Sequence, residues 1–246
     1  MATRSRLDVT LVDRGLFPTR RQAQTAIMAG EIRVNERSAL KASDSVLETD
    51  EIGVISRVRY VGRGGIKLEG ALDAFQIHCE DRVALDIGAS TGGFTDCLLQ
   101  HGARKVFAVD VGKGQLDWKI RSDPRVVTLE KINARHLSRE QVPEPVSICV
   151  IDVSFISLTL VLPPAFELLT PKGMILALIK PQFELARDDV GRGGIVRSPE
   201  LHLRAQEKVA AFAITLGAEV QGISPSVITG SEGNQEFFIC LQKPSE

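Results

Sequence analysis

Four charged residues stand where apolar runs end: Asp86 after V-A-L, Asp110 after V-F-A-V, Asp152 after I-C-V-I and Lys180 after I-L-A-L-I. In an open α/β sheet the carboxyl ends of the strands form the rim where ligands gather. One charge at one strand end is usually a solvated terminus, but four at the same rim point to a site. Asp86 also opens D-I-G-A-S-T-G-G-F, which reads as strand, turn and helix start, with Gly88, Gly92 and Gly93 in the turn. Glycine has no Cβ, so such a turn lets backbone N–H groups and a helix N-terminus approach a ligand closely. Asp110 follows about 20 residues later, where an acid that binds a ribose diol is expected. A nucleoside-bearing ligand is the reading these residues support.

Several chemistries are excluded. Ser90 occupies the second glycine position of G-x-G-x-x-G, so the turn is not a dinucleotide fingerprint. Phe94-Thr95 follows Gly92-Gly93 where a P-loop needs Lys-[Ser/Thr]. His78, His101, His136 and His202 are isolated, and Cys79, Cys97, Cys149 and Cys240 show no C-x-x-C spacing. That pattern suits buried thiols in a reducing compartment and no zinc site. A net charge of −1 gives no global basic field, so any nucleic-acid contact must be local. The N-terminus lacks an apolar signal core, and the longest apolar stretch, 148–169, is broken by Asp152, Ser154, Ser157, Pro163 and Pro164. A cytoplasmic protein without a membrane partner is expected.

The elements that must position these residues alternate. Val83–Ile87, Val106–Asp110, Val126–Leu129, Ser147–Ile151, Met174–Ile179, Glu219–Ile223 and Glu236–Leu241 are the strand candidates, with amphipathic segments between most of them. This predicts a doubly wound, mainly parallel sheet over 66–246, with the last strand antiparallel because a loop precedes it. Val190–Ile195 reads as a mobile glycine-rich loop near the site, and 56–65 as a basic linker. Residues 5–60 differ. A helix bearing Leu7, Val9, Leu11 and Val12 ends at Leu16-Phe17-Pro18. Thr19 then caps a second helix, Arg20–Ala29, closed by Gly30, and short strands follow at 32–34, at Val46 and at 52–55. Arg4, Arg6, Arg20, Arg21 and Arg33 lie on these elements, where they form either a solvated face or a phosphate-binding one.

The pattern Arg6-Leu7-Asp8, Gly15-Leu16, Thr19-Arg20, Ala23, Ile27, Gly30, Ile32, Val34 and Asn35 resembles the S4 RNA-binding domain, although Glu36 stands where glycine is common. The resemblance implies a small α+β platform that reads RNA shape and phosphates through those arginines. The D-I-G-A-S-T-G-G-F-T-D turn resembles that of Rossmann-like S-adenosylmethionine methyltransferases, and more narrowly the FtsJ-like 2′-O-ribose methyltransferases. From residue 6 to 241 the chain is similar to the TlyA-type rRNA methyltransferases. That resemblance implies S-adenosylmethionine as cofactor, ribosomal RNA in ribosomal subunits as partner, and a cytidine as target. The chain looks like the shorter form of that family, which implies large-subunit RNA.

The family's Lys–Asp–Lys–Glu tetrad finds Lys67 in R-G-G-I-K-L, Asp152, Lys180 in K-P-Q-F-E, and Glu236 in N-Q-E-F-F. Without the family, Lys67 reads as an exposed helix residue and Glu236 equally well as a strand start. In the tetrad, Lys180 is the expected general base and Lys67 the cation that orients the hydroxyl. Asp152 and Glu236 position and balance the two lysines. A second ammonium close by favours a neutral amine, which is what a base for a ribose hydroxyl requires; no metal is needed. Cofactor contacts are expected from Asp86, Gly88, Ser90, Gly92, Gly93, Phe94, Asp110 and, at the adenine edge, Asn133, which reads equally as a turn residue. The prolines of an amino-methylating [DN]-P-P-[YF] motif are missing at Asp152-Val153-Ser154-Phe155, and Cys149 reads as strand packing rather than a C5-methylation nucleophile. A catalytically weak RNA-binding protein is the alternative, and direct membrane lysis a remote one.

Overall fold

The computed structural model describes residues 4–28, 31–35, 37–39, 41–54 and 59–245. Gly30, Ala29, Glu36 and linker residues 56–58 lie outside them. The chain divides into two compact units, Met1–Arg59 and Tyr60–Glu246.

In the first unit, β1 (Arg4–Arg6) leads directly into α1 (Leu7–Asp13), and α2 (Arg20–Met28) follows. Thr19 Oγ1 accepts the Gln22 N–H at 3.3 Å, as an N-cap residue should. β2 (Ile32–Val34) pairs antiparallel with β3 (Arg37–Ser38) and β5 (Ile52–Val54), and β4 (Ser45–Leu47) pairs with β1. Leu7, Leu11, Ala23, Ile27, Ile32 and Val46 form its core. Arg14 donates to the carbonyls of Leu47, Glu48 and Asp50, so this arginine is spent on holding a turn.

The second unit opens earlier than a linker reaching residue 65 would allow. Tyr60 is buried, and a Cβ on Gly65 would fall 2.2 Å from its ring. The Val61 N–H donates to Asp96 at 2.9 Å. Residues 60–65 are therefore packed structure, and α3 (Gly64–Phe75) starts inside the expected linker. Then come β6 (Val83–Ile87), α4 (Gly93–Gln100), β7 (Lys105–Asp110), α5 (Trp118–Arg121), β8 (Val126–Glu130), β9 (Val146–Ile151), α6 (Leu162–Leu168), β10 (Leu169–Ile179), α7 (Pro181–Glu184), α8 (Pro199–Thr215), β11 (Glu219–Pro225) and β12 (Phe237–Gln242). One seven-stranded sheet runs β11-β12-β10-β9-β6-β7-β8, with β12 antiparallel to both its neighbours and the other pairings parallel.

Both faces of the sheet are covered, which is why β6 and β9 are apolar apart from Asp86 and Ser147 rather than alternating. On one face α3 and α4 set Leu68, Leu72, Phe94 and Leu98 against Ala84, Ala108, Ile148, Val150 and Leu176. On the other, α6 and α8 set Leu162, Ala165, Ala205 and Val209 against Leu85, Ile87, Val109, Cys149 and Ala177. After β6 the chain winds outward through β7 and β8, then crosses back to β9 on the opposite side of β6. The topological switch point lies between β6 and β9, and this is where such sheets bind ligands.

Candidate active site

The turn after β6 folds over the end of β9. Gly88 has φ +87°, and a Cβ there would stand 2.1 Å from the Asp152 carbonyl oxygen. Only glycine brings the two loops this close. The Asp152 N–H in turn donates to the Ile87 carbonyl at 2.9 Å, continuing the β6–β9 ladder into the loops. Ser90 adopts φ +48°. Its N–H donates to Asp110 Oδ2 at 2.8 Å, and the Gly112 N–H donates to Oδ1 at 2.7 Å. Backbone donors thus fix the Asp110 carboxylate at the end of β7.

Gly88, Ser90, Asp110, Asn133 and Asp152 line one cavity of about 470 Å³ together with Ile132, Val153 and Phe155. That size is ordinary for a nucleoside-sized ligand. Asn133 lines this cavity, and its side chain accepts the Arg135 N–H at 3.1 Å as a turn cap.

Four expected cofactor contacts take other positions. Phe94 is buried, its ring 6.0 Å from that of Phe238, because the first turn of α4 must pack on the sheet. A Cβ on Gly92 would meet Leu116 and Ile120, and one on Gly93 would meet Gly65 N and Gly62 O, so these glycines admit close packing behind the turn. Asp86 is wholly buried beneath the turn. It accepts the Thr95 hydroxyl at 2.6 Å on Oδ2, while Oδ1 has no hydrogen-bond partner among the described residues. Burial pushes its pKa up to about 7 despite the Thr95 bond.

The tetrad converges. Lys67 reaches from the first turns of α3 to Glu236, which precedes β12, with Nζ 2.5 Å from Oε2. Lys180, after β10, stands 2.6 Å from Asp152 Oδ1 and directs a hydrogen bond of 2.9 Å to Ser154 Oγ. All four line a single pocket of about 270 Å³, which shares Gly88, Ser90, Asp152 and Ser154 with the larger cavity. Lys67 and Glu236 are only 10% and 3% exposed. A pair this dry costs desolvation that a surface pair avoids, so it marks chemistry better than it marks stability. Cys149 is fully buried and burial holds its thiol well above the ordinary range, which fits packing and not attack.

Sequence reasoning missed two neighbours. Ser154 shares the Lys180 ammonium. Phe155 holds φ +63° and is 91% exposed, its ring 5.1 Å from that of Phe183. A bulky residue in that backbone region, with its ring in water, is a strained arrangement that functional sites collect. The sequence hid it because F-I-S-L reads as core. The 190–196 segment does adjoin the site: Val190 and Gly194 line a cavity with Lys180, Phe183 and Glu236. Asn234 pins that segment, accepting the Val196 N–H and donating to the Gly194 carbonyl, both at 2.9 Å.

A mostly parallel sheet with a glycine turn at its switch point is the architecture of the Rossmann-like methyltransferases, and the paired-lysine pocket lies beside that turn. Residues 60–243 match the FtsJ-like methyltransferase family and residues 5–52 match the S4 domain. The chain belongs to the FtsJ-like methyltransferase family and carries an S4 domain in front. It is 46% identical over 99% of its length to the Bacillus subtilis protein named "Putative rRNA methyltransferase YqxC", covering 87% of that protein. It is 44% identical over its whole length to the Mycobacterium tuberculosis "16S/23S rRNA (cytidine-2'-O)-methyltransferase TlyA", covering 92% of it. Among solved structures, one titled "Putative hemolysin from Streptococcus thermophilus" is 43% identical with a TM-score of 0.76, covering all of this chain and 90% of that one. The family implies S-adenosylmethionine as cofactor. The cavity suits it: the Gly88 cradle has no room for a side chain, and Asp110 offers an oriented carboxylate for a ribose diol.

Proposed function

We propose that the chain methylates the ribose 2′-hydroxyl of a cytidine in ribosomal RNA. The observation that carries this reading is the convergence of Lys67, Asp152, Lys180 and Glu236 on one pocket that opens into the nucleoside-sized cavity. S-adenosylmethionine, when bound, supplies an electrophilic methyl group on sulfur. Gly88 and Ser90 would hold its amino-acid end, Asp110 its ribose hydroxyls and Asn133 its adenine edge.

The chain's own residues do the rest. Lys180 Nζ would take the proton of the 2′-hydroxyl as that oxygen attacks. Asp152 and Ser154 fix that nitrogen from two sides. Lys67, anchored by Glu236, orients the hydroxyl from across the pocket. Base catalysis of this kind contributes about 10²–10⁴-fold, and alignment of oxygen with methyl supplies much of the remainder. Phe155, at the mouth, offers a face on which an unstacked base can lie. The S4 domain would dock the structured RNA through Arg4, Arg6, Arg20, Arg21 and Arg33.

Among the described residues no helix is long and apolar enough to cross a membrane. The test is to incubate the protein and methyl donor with large and small ribosomal subunits from cells lacking the gene, and to map 2′-O-methyl positions on both. A new methylated cytidine on either subunit is expected; no ribose methylation on either refutes the reading.

A further inference from the structure

Asp8 is charged, yet its side chain is 0% exposed. It sits in the first turn of α1 and gathers three side chains. Arg6 binds it through Nε and Nη2, both at 3.0 Å; Arg20 Nη2 reaches it at 3.0 Å and Gln24 Nε2 at 2.7 Å. These bonds, Arg6's above all, hold its carboxyl well below the usual carboxylate range. Its two arginine partners are instead half in water, with side chains 50% and 55% exposed. Two guanidiniums from the starts of two different helices are thus tied to one buried anion. Arg6 spends its Nε–Nη2 edge on the carboxylate, so its Nη1 edge remains for another acceptor; a guanidinium has five donors in a fixed fork. Arg14, by contrast, has its guanidinium directed at backbone carbonyls.

We propose that Asp8 is a positioning residue for RNA binding: it holds Arg6 and Arg20 as one preset phosphate subsite. The inference rests on the reading of the S4 domain as the RNA platform. Long arginine side chains lose rotamer freedom when they bind, and a residue that has already fixed them removes that cost. The subsite carries two positive charges against one buried negative, and so keeps a net attraction for a phosphate.

Positioning by Asp8 and simple charge counting have opposite signs. Asp8→Asn removes a negative charge beside two RNA-facing arginines. Coulomb attraction alone then tightens RNA binding. Loss of preset geometry weakens it, by about tenfold for one or two charge-assisted phosphate contacts. The experiment measures binding of the full-length protein to purified large and small ribosomal subunits across a potassium chloride series. Circular dichroism checks folding, and S-adenosylmethionine affinity checks the other unit.

Expected for Asp8→Asn are weaker binding to the subunit the wild type prefers and a salt slope reduced by about one to two. Methyl-donor affinity should not change. In an Arg6→Gln/Arg20→Gln background the same substitution should add little, because it acts through those arginines. Binding equal to or tighter than wild type overturns the proposal, as does an equal loss in the arginine-less background. Should Asp8→Asn not fold, Arg6→Lys and Arg20→Lys decide: they keep the charge and lose the fork, so unchanged affinity overturns the proposal and weakened affinity supports it. A wild type that binds neither subunit removes the RNA-platform reading itself, and Asp8's role falls with it.

Discussion

The carboxylate beneath the glycine turn gives a pH signature that can be worked out in advance. Asp86 is fully buried, with one oxygen bonded to Thr95 and the other without a hydrogen-bond partner among the described residues, and burial raises its pKa from 3.8 to about 7. In the unfolded chain it ionises near 4; in the folded chain it stays protonated until near neutrality. Between those values the folded state binds more protons than the unfolded state, so stability falls as pH rises and levels off above about 7. Asp86→Asn keeps an acceptor for Thr95 and cannot ionise, so it is free of this loss. The stability difference, variant minus wild type, should therefore grow with pH. From pH 5 to 7 two units at about 1.4 kcal/mol each give roughly 3 kcal/mol, as a ceiling. Urea unfolding of both proteins at pH 5, 6, 7 and 8, followed by circular dichroism, measures it. A difference that stays flat over that range, or shrinks as pH rises, refutes the reasoning.

Three further outcomes follow from the site. Gly88→Ala places a methyl 2.1 Å from the Asp152 carbonyl at φ +87°; it should cost at least about 2 kcal/mol in thermal unfolding and abolish methyl-donor binding by calorimetry. Glu236→Gln leaves Lys67 buried without its anion, so a loss of about 3 kcal/mol is expected, and Lys67→Met added to it should restore stability but not activity. Phe155→Ala should leave stability and methyl-donor affinity alone, since the ring is 91% exposed, while lowering kcat/KM for RNA about tenfold through lost stacking; equal kcat/KM would remove Phe155 from the substrate path.

The sheet was legible because most of its strands are apolar runs with turn residues at their ends, β11 being the exception. The antiparallel strand β12, inserted between β11 and β10, was legible because no helix precedes it. β10 runs back to Leu169 through Thr170-Pro171-Lys172-Gly173, which reads as a turn; a register shift against β9 accommodates it. β1 was hidden because Arg-Ser-Arg carries no apolar alternation, its pairing with β4 being a backbone matter. At the site, Asp110, Asp152 and Lys180 could be read from strand ends alone. Lys67 and Glu236 could not: they are 169 residues apart, and only the resemblance to the family brought them together before the fold did. Gly92, Gly93 and Phe94 look like ligand contacts in a linear motif. In three dimensions the turn has two sides, and theirs faces Leu116, the loop before α3 and Phe238. Asp86 was hidden for the same reason: a strand-end acid can point down into the core as well as out to the rim.

In the proposed reaction Lys180 takes the proton from a ribose hydroxyl. The most direct measurement compares wild type with Lys180→Ala on ribosomal subunits lacking the modification, reading alkali-resistant 2′-O-methylated nucleotides, with methyl-donor and subunit binding measured on the same samples. Wild-type binding of both ligands with methylation reduced about 10²–10⁴-fold is the expected result. Methylation by Lys180→Ala at the wild-type rate, or a wild-type methyl group found on a base instead of the ribose, would contradict the account.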